Sequence, residues 1–433
     1  MSPDSFSSKS TSPQAAQSHA LERDVGKPPL VGLSDGEQGI DMRRLRAYRL
    51  QRLRAELSAR DYGGCLLYDP INIRYATGSR NMAVWTLHNA ARYCFVPTTG
   101  PIVLFDFHNC GHLSQGLETV QEVRLAVGWY YFAGGPHVED RAKRWAAELA
   151  DLVRTHGGGN RRLAVDRCDP VGVAALEAEG ITVCEGQEVM EQARRLKSLE
   201  EIACMRHAVA VCEVGMAKMR AALEPGMTEN QLWSILHQVN IAMGGEWIET
   251  RLLASGERTN PWFQESSERV IRPGDLVSFD TDLIGPFGYC ADISRTFFCG
   301  PGRPRDEQRR LYRLAWEQIH GNMDLIRPGL SFRELAETGW KLPERCRPNR
   351  YSVVAHGVGL CDEYPACVYL EDLQSGGYDG VIEPGMTLCV ESYIGEVGGR
   401  EGVKLEEQVL VTERGIERLS TFPYEDELLP RQI

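Results

Sequence analysis

Six residues in the second half of the sequence carry most of its capacity for chemistry. Asp280 and Asp282 stand two apart in SFDTDL, Asp292 lies in YCADIS, His356 in VVAHGVG, Glu391 at the end of MTLCVE and Glu406 in KLEEQVLV. Residues two apart on a strand point to one face, so Asp280 and Asp282 are expected side by side. Gly285-Pro286 and Gly288 supply turn chemistry. A turn centred on Phe287 would set Asp282 opposite Asp292. Carboxylates crowded on apolar strands repel one another and are costly to desolvate, and divalent cations are the simplest remedy. Five carboxylates and one imidazole suit two hard or borderline ions such as Fe, Mn or Zn. Each residue alone has a bland reading: an edge Asp, a satisfied core His, a solvated Glu. Six together on apolar strands in one half of the chain point to a binuclear metal site.

The elements that must position these residues follow from periodicity. Arg43 to about Asp61 has leucines at helical spacing, including Leu50, Leu53 and Leu57. The short apolar runs GGCLLYD, RYCFVP, GPIVLFDF and RRLAVD, with helical stretches such as Val138 to Thr155 between them, predict an α/β domain over 41–195. Capping-box pairs Ser198/Glu201 and Thr228/Gln231 open two helices, reaching about Leu223 and Met243. Strand-like runs follow, interrupted by helices near Asp306 to Ile326 and Phe332 to Lys341. The second half, 196–433, is therefore expected to be α+β, with helices around a mainly antiparallel sheet.

The bulk properties exclude several functions. The chain has 433 residues and a net charge of -12, which argues against nucleic acid or an anionic membrane as partner. No apolar run approaches the roughly 18 residues that span a bilayer. Residues 1–40, rich in Ser, Pro and Gln at their start, read as a disordered tail, with too little Arg for a transit peptide. The 13 cysteines form no CxxC pair; reduced thiols and a cytoplasmic location are expected.

This pattern resembles the creatinase, aminopeptidase P and methionine aminopeptidase family, over about residues 45 to 430. The resemblance implies a C-terminal pita-bread catalytic domain preceded by a creatinase-like α/β domain, and a homodimer. Asp292, His356, Glu391 and Glu406 fall on the family's metal-ligand pattern, while Asp280 and Asp282 compete for the first position. Two departures set the chain apart from the peptidases. HGVGLCDEYP has no second His and offers Asp362 and Glu363, and the loop ASGERTNPWFQES has no His at all. The proton-shuttling histidines of peptide hydrolysis are thus missing. GGEWIETRLLASG, NPWFQ, SFDTDL, HGVGLCDE and EPGMTLCVE instead resemble the DddP-type dimethylsulfoniopropionate lyases, which form acrylate and dimethyl sulfide.

That branch implies a β-elimination on a small sulfonium substrate, with two divalent ions, iron foremost, gripping the substrate carboxylate. Asp362, six residues after His356, is the expected base, with Glu363 in reserve and a turn-capping Asp as the bland alternative. A sulfonium cation favours aromatic faces by roughly 0.5–2 kcal/mol. Tyr351 and Trp262 are the expected substrate contacts, with Phe263 and Trp247 as further aromatics. Tyr351 requires a bend, since an odd offset from His356 points it away along a flat strand. An Xaa-Pro peptidase-like metallohydrolase and a non-catalytic binding module are the competing readings.

Overall fold

The computed structural model describes residues 39–429; the tail expected over 1–40 lies almost wholly outside them. The first helix, Met42–Ala59, is capped by Asp41 and buries Leu45, Leu53 and Leu57. It packs on a six-stranded mixed sheet. The strand order is Glu122–Leu125, Val103–Asp106, Tyr93–Pro97, Gly64–Leu67, Arg162–Val165, Thr182–Glu185. Alternate residues of its strands enter two different cores. Cys65 and Leu67 face the side of the first helix, whereas Leu66 faces Trp145 and Leu149 of the helix Val138–His156. Burial on both faces explains why these strands read as unbroken apolar runs.

The capping boxes at Ser198/Glu201 and Thr228/Gln231 are both formed and open the helices Leu199–Ala222 and Glu229–Ala242. The later helices run Asp306–Leu325 and Phe332–Thr338. The second of these is shorter than expected because the backbone leaves the helix at Gly339. Around them stands a five-stranded antiparallel sheet, ordered Asp362–Cys367, Ala355–Val358, Thr387–Gly395, Gly402–Thr412, Gly415–Arg418. Two three-stranded antiparallel sheets complete this half. One apolar cluster runs from Leu53 and Cys65 of the first half to Val277, Phe279 and Cys389 of the second. The two halves therefore share a core. No described helix is long and apolar enough to cross a membrane.

Candidate metal centre and active site

The turn after Gly285 centres on Phe287. Leu283 pairs with Ala291 and Ile284 with Cys290, and the Asp282 N–H donates to Asp292 Oδ1 at 3.2 Å. Asp280 and Asp282 come together by a different route from the one expected. The strand Leu276–Phe279 stops before Asp280, pairing resumes at Leu283, and Asp282 lies between at φ 35°. That left-handed residue, tolerable for a short polar side chain, swings both carboxylates inward where the chain passes from one sheet to another. Thr281 pins the crossing, donating to the Ala291 carbonyl and accepting from the Ile293 N–H, both at 2.9 Å. Thr250 donates to Asp282 Oδ2.

Glu391 and Glu406 sit directly opposite each other on the long hairpin Thr387–Gly395/Gly402–Thr412. Like charges so placed destabilise a sheet; both are fully buried. Lys404, equally buried, answers part of this repulsion. Its Nζ lies 2.6 Å from Glu391 Oε2, 3.3 Å from Glu406 Oε2, 2.9 Å from Asp280 Oδ2 and 2.6 Å from Ser294 Oγ. The other oxygens of the two glutamates, both Oε1, are buried with no hydrogen-bond partner. They face His356 Nε2 at 3.4 and 3.6 Å, with Asp292 Oδ2 at 3.7 Å from the same nitrogen. His356 Nδ1 lies 3.0 Å from the Gly357 carbonyl. Donation from Nδ1 there leaves Nε2 turned toward the carboxylates, which hold the His356 pKa well above its usual value against the opposing effect of burial.

Orphaned buried oxygens around an imidazole nitrogen are the donor set a divalent cation requires. Ligand atoms cluster in three overlapping groups, each within 4.8 Å: Asp292, His356, Cys389 and Glu406; Asp280, Glu391 and Glu406; Asp280, Asp282 and Asp292. The residues present thus fit metal. Without it the crowding is evident: burial, then neighbouring carboxylates, pushes the Asp282 and Asp292 carboxyls well up and raises Glu391.

Asp362 opens the strand Asp362–Cys367, which pairs with the His356 strand across a bulge after His356. The sequence showed no strand there. Its side chain is 52% exposed, against 0% for Glu391 and Glu406, and Oδ1 lies 3.7 Å from His356 Nδ1. It is the one solvent-facing carboxylate among those beside His356. Desolvation beside the cluster raises its pKa; the charge of His356 opposes this and the Glu406 and Glu391 carboxylates add to it. Glu363 points the other way, as strand alternation demands. It is fully buried between Arg194 and Lys197, which removes it as a reserve base.

Tyr351 lies in the loop before Ala355–Val358, which supplies the bend it needed, and its ring lies 4.5 Å from Lys404 Nζ. Trp262 does not join it. That indole is 6% exposed and packs on Tyr393 in the interior. The next residue, Phe263, at φ 70°, is 56% exposed and stacks on Tyr351 at 5.2 Å. The left-handed step at Phe263 goes with consecutive aromatics on opposite sides, Trp262 buried and Phe263 exposed beside Tyr351. Trp247 donates to Glu249 and lines a shallow surface cavity with Met82, Val84 and Trp85.

Comparison with known proteins decides the family. Residues 49–196 match the Creatinase/Prolidase N-terminal domain and residues 203–413 the Metallopeptidase family M24. Dimethylsulfoniopropionate lyase DddP of Roseovarius nubinhibens is 45% identical over 90% of this chain and 89% of its own. The DddP of Roseobacter denitrificans is 43% identical over 90% and 88%. The chain belongs to the DddP family. Within the wider M24 fold, the Xaa-Pro dipeptidase of Bacillus anthracis superposes with TM-score 0.70 at 22% identity, covering 88% of this chain and 99% of that one. The pita-bread domain behind a creatinase-like domain is thus the architecture of this DddP family member, and peptidases share its fold at low identity.

Two further residues stand in the cluster, Lys404 and Cys389. Lys404 stands two residues before Glu406 in KLEEQVLV and Cys389 two before Glu391 in MTLCVE, and only strand pairing sets Cys389 opposite His356. Lys404→Met should destabilise the metal-free protein by about 3–5 kcal/mol, because it leaves buried carboxylates without their cation. Added divalent ions should restore most of the loss. Melting temperatures of both proteins with and without metal check this; an equal metal response in the two would refute the role of Lys404.

Proposed function

We propose that the protein is a metal-dependent carbon–sulfur lyase that splits dimethylsulfoniopropionate into acrylate and dimethyl sulfide. The likeness to two DddP proteins over nine-tenths of this chain carries the reading, and the geometry agrees with it. Asp280, Asp282, Asp292, His356, Glu391 and Glu406 would hold two divalent ions, iron foremost, or Mn or Zn. Five carboxylates, two divalent ions and the Lys404 ammonium balance to neutrality, which favours divalent over trivalent ions in a buried site. The chemistry such ions supply is neutralisation of the substrate carboxylate, so that negative charge can develop on the adjoining carbon.

Asp362 is the base. From the rim of the cluster it takes a proton from the carbon next to the substrate carboxylate. That C–H electron pair becomes the new C=C bond, the C–S pair leaves with sulfur, and dimethyl sulfide departs uncharged. Tyr351 and Phe263 present aromatic faces to the sulfonium. Elimination needs a placed base and no activated water. The absence of His from the loops 254–266 and 357–365 therefore disables a peptidase but not this reaction. The protein acts in the cytoplasm, in keeping with its 13 unpaired cysteines. It acts as a homodimer, in keeping with the exposed apolar Met82, Val84, Trp85 and Leu113 around one shallow cavity.

The metal-loaded enzyme given dimethylsulfoniopropionate should release dimethyl sulfide into the headspace with one acrylate per sulfide, and should leave Ala-Pro intact. Dipeptide turnover at an enzymatic rate without dimethyl sulfide would favour the metallohydrolase alternative and defeat this reading.

A further inference from the structure

Behind Asp362, on the side away from the metal cluster, lies a buried charge network that the proposed reaction leaves unused. Glu363 has no exposed side-chain surface, and its two oxygens are taken by two cations. Arg194 Nε donates to Oε2 at 3.0 Å, and the Lys197 ammonium to Oε1. The same arginine spreads its remaining nitrogens over Asn72 Oδ1 and Glu191 Oε1. Glu191 returns to the strand, accepting from the Tyr364 N–H at 2.8 Å. Asn72 is anchored in turn on the buried Asp166 at 2.9 Å, which also accepts from the backbone of Tyr68 and Asp69. Gly359 belongs to this arrangement, since a side chain there would collide with the Glu363 carboxylate.

Asn72, Asp166, Glu191 and Arg194 all lie in the stretch matched as the Creatinase/Prolidase N-terminal domain. Lys197 follows directly. The strand they grip carries Asp362 one residue before Glu363, beyond the bulge at His356. Among the described residues no side-chain hydrogen bond fixes the Asp362 carboxylate, whose Oδ1 stands 3.7 Å from His356 Nδ1. Its reach is therefore set by the backbone on which it stands, and that backbone is fixed from behind. Guanidinium forks are suited to this, because several fixed donors leave little freedom.

We propose that the N-terminal domain is a working part of the active site. Through Arg194, with Lys197, it clamps Glu363 and so positions Asp362 against the substrate. Arg194, Lys197 and Glu363 are positioning residues; none touches substrate. The proposal rests on the reading of Asp362 as the base, and it distinguishes this family member from a design in which the N-terminal domain serves assembly alone.

The test compares the metal-loaded parent with Glu363→Gln, Lys197→Gln and Arg194→Lys, using dimethylsulfoniopropionate with and without deuterium at the carbon next to the carboxylate. Displacing a catalytic group by about 1 Å costs on the order of 10²-fold. Glu363→Gln and Arg194→Lys should therefore lower kcat by about 10–100-fold with KM within about threefold and metal content unchanged. The isotope effect on kcat should rise, since proton abstraction becomes the slower step. A loosened fold without a positioning role would leave the isotope effect where it was. Lys197→Gln keeps Glu363 paired with Arg194, so it tests the clamp even if either of the other two fails to fold, and it should show the same signature at smaller size. Folded, metal-replete variants that match an active parent overturn the clamp alone, as do variants that lose metal and activity in parallel. A parent that releases no dimethyl sulfide overturns the functional reading, and the clamp with it.

Discussion

Asp362→Asn is expected to lower turnover by about 10²–10⁴-fold, the contribution typical of a general base, while metal content and substrate affinity stay near those of the parent. The amide keeps the shape of the carboxylate, and the side chain is half-exposed, so no buried partner is orphaned. The metal cluster behind it is untouched, and so are Tyr351 and Phe263. Only the capacity to accept a proton disappears. The measurement is threefold: elemental analysis, substrate affinity and kcat. Retention of more than about a tenth of the rate would remove Asp362 from the role. Glu249 would then be the next carboxylate to test. Burial raises its pKa and the charge of Asp362 raises it further, so it lies within electrostatic reach. Metal loss in Asp362→Asn would make Asp362 a ligand instead.

Asp292→Ala and Glu406→Ala should release metal and abolish turnover together. Both residues belong to more than one of the overlapping ligand groups, so either change strips donors from two places at once. A second consequence has the opposite sign. Without metal, the parent holds carboxylates that burial and mutual repulsion disfavour in ionised form. Removing Asp292 relieves that repulsion, so Asp292→Ala should melt above the metal-free parent and below the metal-loaded one. Full metal content in an inactive Asp292→Ala or Glu406→Ala would sink the ligand assignment. Asp292→Ala melting below the metal-free parent would show that the contacts of Asp292, such as the one from the Asp282 N–H, outweigh the repulsion.

The carboxylates that the fold gathers were legible because carboxylates on apolar strands are costly. A sequence that keeps them there advertises a compensating charge. The hairpin centred on Phe287 could be read from Gly285-Pro286 and Gly288, since turn residues mark their own position. The capping boxes at Ser198 and Thr228 are likewise local signals, and both formed where expected. The strand Asp362–Cys367 was not legible, because DEYPAC lacks both alternation and a β-branched run and is held as a strand by its partner at Ala355–Val358.

What the sequence determined by itself was which residue types gather, the broad order of the elements and the family they belong to. Periodicity, turns and motifs are properties of consecutive residues and survive without a fold. The tertiary structure alone decided orientation. Asp280 and Asp282 converge through a left-handed step at Asp282, not through strand alternation. Phe263 and not Trp262 stacks on Tyr351, with Phe263 at φ 70° on the exposed side and Trp262 buried against Tyr393. Lys404 becomes the counter-charge of Glu391 and Glu406, and Glu363 becomes a strut instead of a base, only once strands distant in sequence lie side by side. Each of these depends on a contact between residues far apart in the chain or on a single backbone angle. Neither leaves a pattern among neighbouring letters.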